Sequence, residues 1–199
     1  MEDLRQHLGL QQLDLLGFSH GAAVAAHYAA HYPSAVRRLV LAGGLAAYTD
    51  GMEAEADRLM RERRDEPWYG EATQALQDEE AGNYDDMAEL WARMAPLYFG
   101  RWDERYRPWI EKTGAGSNAA PAKAFNSGEL DIRDELPQIT APTLVLAGTD
   151  DFVCGPSAAD ELVRGIPHAR LVLLENAGHM MYVEQPEAFR NAVEEFLAR

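Results

Sequence analysis

Three residues of this chain have the types and the spacing for acyl transfer. Ser19 sits in Gly17–Phe18–Ser19–His20–Gly21, a G-x-S-x-G run. It directly follows the apolar stretch Leu13 to Phe18 and precedes the small residues Ala22, Ala23, Ala25 and Ala26. A serine in a strained strand-to-helix turn presents its hydroxyl at the top of a sheet, and glycines beside it admit close strand–helix packing. A hydroxyl is a weak nucleophile, so it needs a base, and the base needs a carboxylate to orient it. Gly148–Thr149–Asp150–Asp151 follows a later apolar stretch, and Glu175–Asn176–Ala177–Gly178–His179 follows the next one. They supply an aspartate and a histidine on loops after strands, in the chain order Ser, Asp, His. A tight turn with an incidental serine is the competing reading of the motif taken alone.

The elements that must position these residues are legible as apolar runs. Leu13 to Phe18, Arg38 to Ala42, Pro142 to Gly148 and Ala169 to Leu174 have strand length. None alternates cleanly with polar residues, the pattern of strands buried on both faces of a parallel sheet. Helical stretches lie between and after them. His20 to Tyr32 is rich in alanine and stops at Pro33. Ser157 to Arg164 ends at Gly165, read as a C-terminal cap. A last helix opens with Pro186 and stacks Phe189, Val193, Phe196 and Leu197 on one face. The alternation predicts an α/β fold, a parallel sheet of about four strands flanked by helices. From about Leu45 to Ala120 the rhythm changes to amphipathic stretches (Met52 to Arg64, Ala72 to Glu80, Tyr84 to Tyr98), and all four tryptophans lie there. The expected organisation is an α/β core over 1–44 and 121–199, with a helical cap inserted over 45–120. A flexible stretch, Gly114–Ala115–Gly116–Ser117–Asn118, closes the cap. Its G-x-G follows no strand and opens no clear helix, so it is not read as a nucleotide loop.

Composition narrows the partners. The chain has 199 residues, 47% of them hydrophobic and 26% charged, which fits one globular domain with an insertion. Its 18 basic against 33 acidic residues give a net charge of −15. Such a surface repels nucleic-acid phosphates and anionic membranes and tolerates neutral or cationic small substrates, although a solvated surface is the plainer reading of the charge. No run approaches the ~18 apolar residues of a membrane span, and the opening MEDLRQHLGLQQ has no signal-peptide pattern. The lone Cys154 forms no internal disulfide and is read as a packed thiol. A cytoplasmic location is expected. His27 and His31 have a metal-ligand spacing, but no third ligand is evident beside them, so neither metal nor cofactor is expected. Trp91, Tyr98, Phe99 and Trp102 are read as cap core. Glu79, Glu80, Asp85 and Asp86 are read as solvated surface.

The segments LLGFSHGAAVAAHYAAHYPSAVRRLVLAGG, ITAPTLVLAGTDDFVCGP and IPHARLVLLENAGHMMYVEQPEAF carry a resemblance. The chain resembles the α/β-hydrolase family, and within it the proline iminopeptidase group. The resemblance implies Ser19 as nucleophile, His179 as base and Asp151 rather than Asp150 as triad acid. It also implies the backbone N–H of His20 as one oxyanion donor, no cofactor, and release of N-terminal proline from peptides. Cap carboxylates in that group receive the substrate's free amino terminus. Esterases, amidases and C–C bond hydrolases share the same blocks, whereas haloalkane dehalogenases and epoxide hydrolases need an aspartate where Ser19 stands. Members of the group also carry a half-sheet before the elbow, with an H-G-G-P-G-like loop that this chain lacks. From this comes an expectation of a different class: an N-terminally incomplete, catalytically impaired protein that self-associates through an exposed Leu13–Leu16 strand edge.

Overall fold

Strands form at the four apolar runs: β1 Leu13–Phe18, β2 Val36–Ala42, β3 Thr143–Gly148 and β4 Ala169–Leu174. In the computed structural model, which describes residues 1–114 and 130–198, they make one parallel sheet in the order β1-β2-β3-β4. Successive side chains point to opposite faces. Leu39, Leu41, Val145 and Ala147 therefore join one core, and Val40, Ala42, Leu144 and Leu146 the other. The first core is covered by α2 (His20–His31) and α7 (Pro156–Gly165), after a short α1 (Glu2–His7). The second is covered by α9 (Pro186–Ala198), through Phe189, Val193, Phe196 and Leu197. Alanines let α2 lie close to the sheet: Ala22, Ala25, Ala26 and Ala29 are all buried. Pro33 stops it and opens a 3₁₀ turn.

Burial on both faces, expected for all four strands, describes β3 and most of β2. It fails for β1 and β4. Each is an outer strand of the described sheet, with one neighbour. In β1, Leu13 and Leu15 lean on the α2 core, while Leu16 on the other face is 47% exposed. In β4 most residues are half-buried and Leu173 is exposed.

Between β2 and β3 the described chain is helical: α3 Asp50–Arg63, α4 Tyr69–Ala81, α5 Met87–Met94 and α6 Arg107–Gly114. The stretch expected as a helix from Tyr84 begins later because Asp86 caps α5, accepting from the backbone N–H of Ala88 at 2.8 Å. Its last turn, Ala95–Tyr98, is 3₁₀ and contains Pro96. Ala72, Ala75, Leu90, Met94 and Leu97 form one apolar cluster here. A second joins Ala95, Phe99, Tyr106 and Ile110 to Met180, which comes from beyond β4, so the insertion and the sheet share a core. Gly114 ends α6; Ala115–Asn118 and the expected boundary at 120 and 121 lie outside the described residues. No helix among the described residues is long and apolar enough to cross a membrane.

Gly165 differs from its reading as a cap. It is the last residue of α7 and does not take a left-handed conformation; its role is to let Leu136 approach, whose Cβ would stand 2.9 Å from a Cβ placed there. Helix propensity alone favours alanine over glycine by ~1 kcal/mol. Overpacking costs ~1–3 kcal/mol and should win, so Gly165→Ala lowers the urea midpoint rather than raising it.

Candidate active site

Ser19 stands where β1 hands directly to α2. Its backbone N–H donates to the Ala42 carbonyl at 2.9 Å, prolonging the sheet ladder, while its own carbonyl accepts from Ala22 N–H at 2.8 Å and opens the helix. Meeting both demands without a linker forces φ to 52° and ψ to −125°, a conformation unusual for any residue but glycine. Gly17 makes the turn possible, because a Cβ there would collide with the Gly21 carbonyl oxygen. Gly21, expected to serve the same packing, faces open space. The backbone N–H of His20 opens α2, at the positive end of the helix dipole.

The structure brings Ser19, His179 and Asp151 together. His179 Nε2 is 2.9 Å from Ser19 Oγ, and His179 Nδ1 is 2.9 Å from Asp151 Oδ2. Asp151 and His179 are almost completely buried, whereas Ser19 remains half-exposed. The second carboxylate oxygen of Asp151 accepts from the backbone N–H groups of Val153 at 2.8 Å and Cys154 at 3.0 Å. Both oxygens are thus engaged, which fixes the imidazole plane. Phe18 lies 5.0 Å from the His179 ring and Tyr98 5.9 Å, forming an apolar collar. Gly43 passes beneath, where a Cβ would come within 3.2 Å of the imidazole.

The sequence matches the alpha/beta hydrolase fold family over residues 1–186. The chain belongs to that family. It is 29% identical over 209 residues to a proline iminopeptidase of Lactobacillus delbrueckii subsp. bulgaricus, covering 99% of this chain and 69% of that protein. It is 30% identical over 203 residues to a 2-hydroxy-6-oxo-2,4-heptadienoate hydrolase of Pseudomonas putida, covering 96% and 65%. A solved hydrolase from Pseudomonas aeruginosa superposes with a TM-score of 0.73 at 28% identity, covering all of this chain and 69% of that one.

Two residues of this alpha/beta hydrolase escaped the sequence reading. Arg63, on the inner face of α3, donates to the Leu97 carbonyl at 2.8 Å and to the Asp150 carbonyl at 2.6 Å. It ties the insertion to the loop of the aspartate pair, and Asp150 contributes its carbonyl there. Burial pushes the Arg63 guanidinium pKa down, while the charges of Asp150, Glu184 and Asp151 oppose that shift. Glu184, in the one-turn helix α8 (Met181–Glu184), accepts from Gly178 N–H at 2.7 Å, Arg101 N–H at 3.1 Å and Gly100 N–H at 3.2 Å. It holds the residue preceding His179 against the insertion. Burial pushes its carboxyl up, against the pull of those three N–H groups.

A cavity of about 570 Å³ opens beside this constellation, its wall including Tyr48, Glu79, Glu80, Tyr98 and Phe152. Tyr98 is its link to His179. Tyr98 packs against both cap clusters, as read, and also walls the cavity; Glu80 is exposed at the rim, as read, while Glu79 is half-buried against the cavity rather than on open surface. Burial, then the charge of Glu80, pushes the Glu79 carboxyl up. Trp91 packs edge-on behind Tyr98, and Phe99 is fully buried against Trp102 and Tyr106. Cys154 is a buried thiol whose pKa burial raises, in keeping with its packed reading.

Glu184→Ala should strand three donors, each costing ~1–3 kcal/mol where water does not replace the carboxylate. The thermal midpoint and kcat should fall together. Glu184 holds its proton to higher pH in the fold than in the unfolded chain, so the native state binds more protons. Its contribution to stability therefore falls as pH rises from 4.5 through the folded pKa. Glu184→Gln should remove that slope in urea titrations across pH 4 to 7.

Proposed function

We propose that this chain is a serine hydrolase acting through an acyl-enzyme, with proline iminopeptidase-like release of an N-terminal proline. The observation that carries the reading is the continuous hydrogen-bond series from Ser19 through His179 to Asp151. His179 Nε2 takes the Ser19 proton as Oγ attacks the substrate carbonyl. The oxyanion gathers charge toward the His20 N–H at the head of α2. His179 returns the proton to the leaving amine, then takes one from the water that hydrolyses the ester. Asp151 stays ionised throughout, holding the Nδ1–H tautomer. These steps use only side chains, backbone and water.

The cavity supports the substrate class. Asp50, Glu53, Glu79 and Glu80 lie along it and favour an ammonium group, while Tyr98 and Phe152 offer flat apolar walls to a pyrrolidine ring. A dienoate, the substrate in the name of the Pseudomonas putida relative, would bring a carboxylate against the same acids.

A fluorophosphonate probe should label the wild type and leave Ser19→Ala unlabelled; equal labelling would remove Ser19 as nucleophile. Absence of labelling in the wild type would favour a catalytically impaired, binding or associating protein. Asp151→Asn should lower kcat by up to ~10⁴, the loss expected when a triad histidine adopts the wrong tautomer. Asp150→Asn should cost far less, because its carbonyl survives.

Proline arylamide should be cleaved well and its N-acetyl derivative poorly. Glu79→Gln should raise KM for the free amine about tenfold, a loss of ~1.4 kcal/mol, and leave a neutral ester unchanged. In the wild type, KM for the amine should fall as pH rises through the elevated Glu79 pKa, because ionisation supplies the charge that binds ammonium. Equal turnover of the free and acetylated substrates would point to an esterase or amidase instead.

A further inference from the structure

The two histidines one turn apart on α2 acquire, in the fold, a partner the sequence does not reveal. Glu135 comes from the 3₁₀ segment Arg133–Gln138, which leads into β3. Its Oε2 lies 2.7 Å from His27 Nδ1 and 3.6 Å from His31 Nδ1. One ligand atom from each of the three residues lies within 4.8 Å of the others. The His27 and His31 rings approach to 4.2 Å between centroids. His31 Nδ1 is also 3.0 Å from the His27 carbonyl oxygen. If it donates there, Nε2 keeps its lone pair outward, the outer-shell arrangement common among metal-binding histidines.

We infer that His27, His31 and Glu135 form a site for a divalent transition metal of the zinc class, fastening α2 to the segment that leads into β3. Two imidazoles and one carboxylate are borderline donors that suit zinc, nickel or copper, whereas calcium and magnesium take oxygen ligands. His27 and Glu135 already share one small cation, the proton of their hydrogen bond. A metal takes its place: the imidazole proton at Nδ1 moves to Nε2 through solvent, and the nitrogen lone pair binds the ion. Metal–ligand bonds of ~2.0–2.2 Å in tetrahedral array put ligand atoms ~3.3 Å apart, so the three groups, now within 4.8 Å of one another, must close by side-chain rotation. The histidine side chains are about half exposed (55% and 50%), which leaves a remaining coordination position to water and lets the ion exchange. Asp131 lines the same shallow groove, paired with Arg133, and the net charge of −15 favours cation approach. The site lies on the helix whose first turn carries the nucleophile, so an ion here would stiffen α2 without touching Ser19.

Untagged, chelator-treated protein titrated calorimetrically with zinc chloride at pH 7.5 should bind one equivalent, and its thermal midpoint should rise by several degrees. His27→Gln and His31→Gln should each weaken binding at least tenfold, and Glu135→Gln several-fold. Circular dichroism should show an unchanged helix, since the two histidines on it are exposed. No saturable binding by the wild type, or affinities unchanged in all three variants, would overturn the site. Fluorophosphonate labelling of Ser19 does not depend on these residues, so the two readings fail separately.

Discussion

The turn at Ser19 is the constraint on which the rest depends. A non-glycine residue held at φ 52° costs ~1–3 kcal/mol, and it persists only where its surroundings make every relaxed alternative worse. Here the sheet ladder holds the serine N–H, the first turn of α2 holds its carbonyl, and Gly17 leaves no room for the chain to withdraw. Buried alanines then lock α2 onto the sheet, so the strain cannot spread along the helix. Because the sheet is parallel, β1, β3 and β4 all deliver their following loops to the same edge. Serine, aspartate and histidine arrive there from distant stretches of chain, and each needs only its own strand to end in the right place.

Holding the loops still is a separate problem, and the structure solves it with buried charge. Loops between strands and helices carry backbone groups that the sheet does not satisfy. Arg63 collects two carbonyls and Glu184 three N–H groups, each drawing from both the insertion and the loops of the sheet. Their opposed pKa shifts reflect one cause, the cost of removing a charge from water, and hydrogen bonds from neutral backbone repay part of it. The insertion is thereby more than a cover. It is a brace for the loop bearing His179, and its apolar cluster around Phe99 includes Met180 from that same loop.

What could be read from the sequence was local. The bounds of Leu13–Phe18 and Ala169–Leu174 were visible because turn residues flank each run, and the serine turn because five adjacent residues encode it. Choosing Asp151 over Asp150 required a resemblance, since both follow β3 and only their orientation separates them. Burial of β1 and β4 was misread because composition reports what a strand can bury, while the number of neighbours decides what it does bury. Gly165 was misread because its reason, Leu136, is on another element. Arg63, Glu184 and Glu135 were not singled out: Asp150, Gly100 and His27, which they reach, lie 87, 84 and 108 residues away, and the one near partner, Gly178 six residues before Glu184, is a backbone N–H that no side-chain pattern marks. The third ligand that seemed missing beside His27 and His31 was missing only in sequence.

An acid-lined cavity beside a developing oxyanion presents an electrostatic conflict on the proposed reading. Carboxylates that attract an ammonium group also disfavour negative charge at the reacting carbonyl, and low polarity between the two would amplify the effect. Three features of this site moderate it. Tyr98 stands between the acids and His179, adding separation. Burial and Glu80 push the Glu79 carboxyl pKa up, so a bound cation favours its ionised form more than the empty cavity does. The ammonium itself then offsets one of the charges it was drawn by, leaving a less negative wall when the carbonyl is attacked. A substrate without an amine would meet the same wall uncompensated. Selectivity for a free amino terminus would thus be exerted at the chemical step as well as in binding, with no additional contact to the scissile bond.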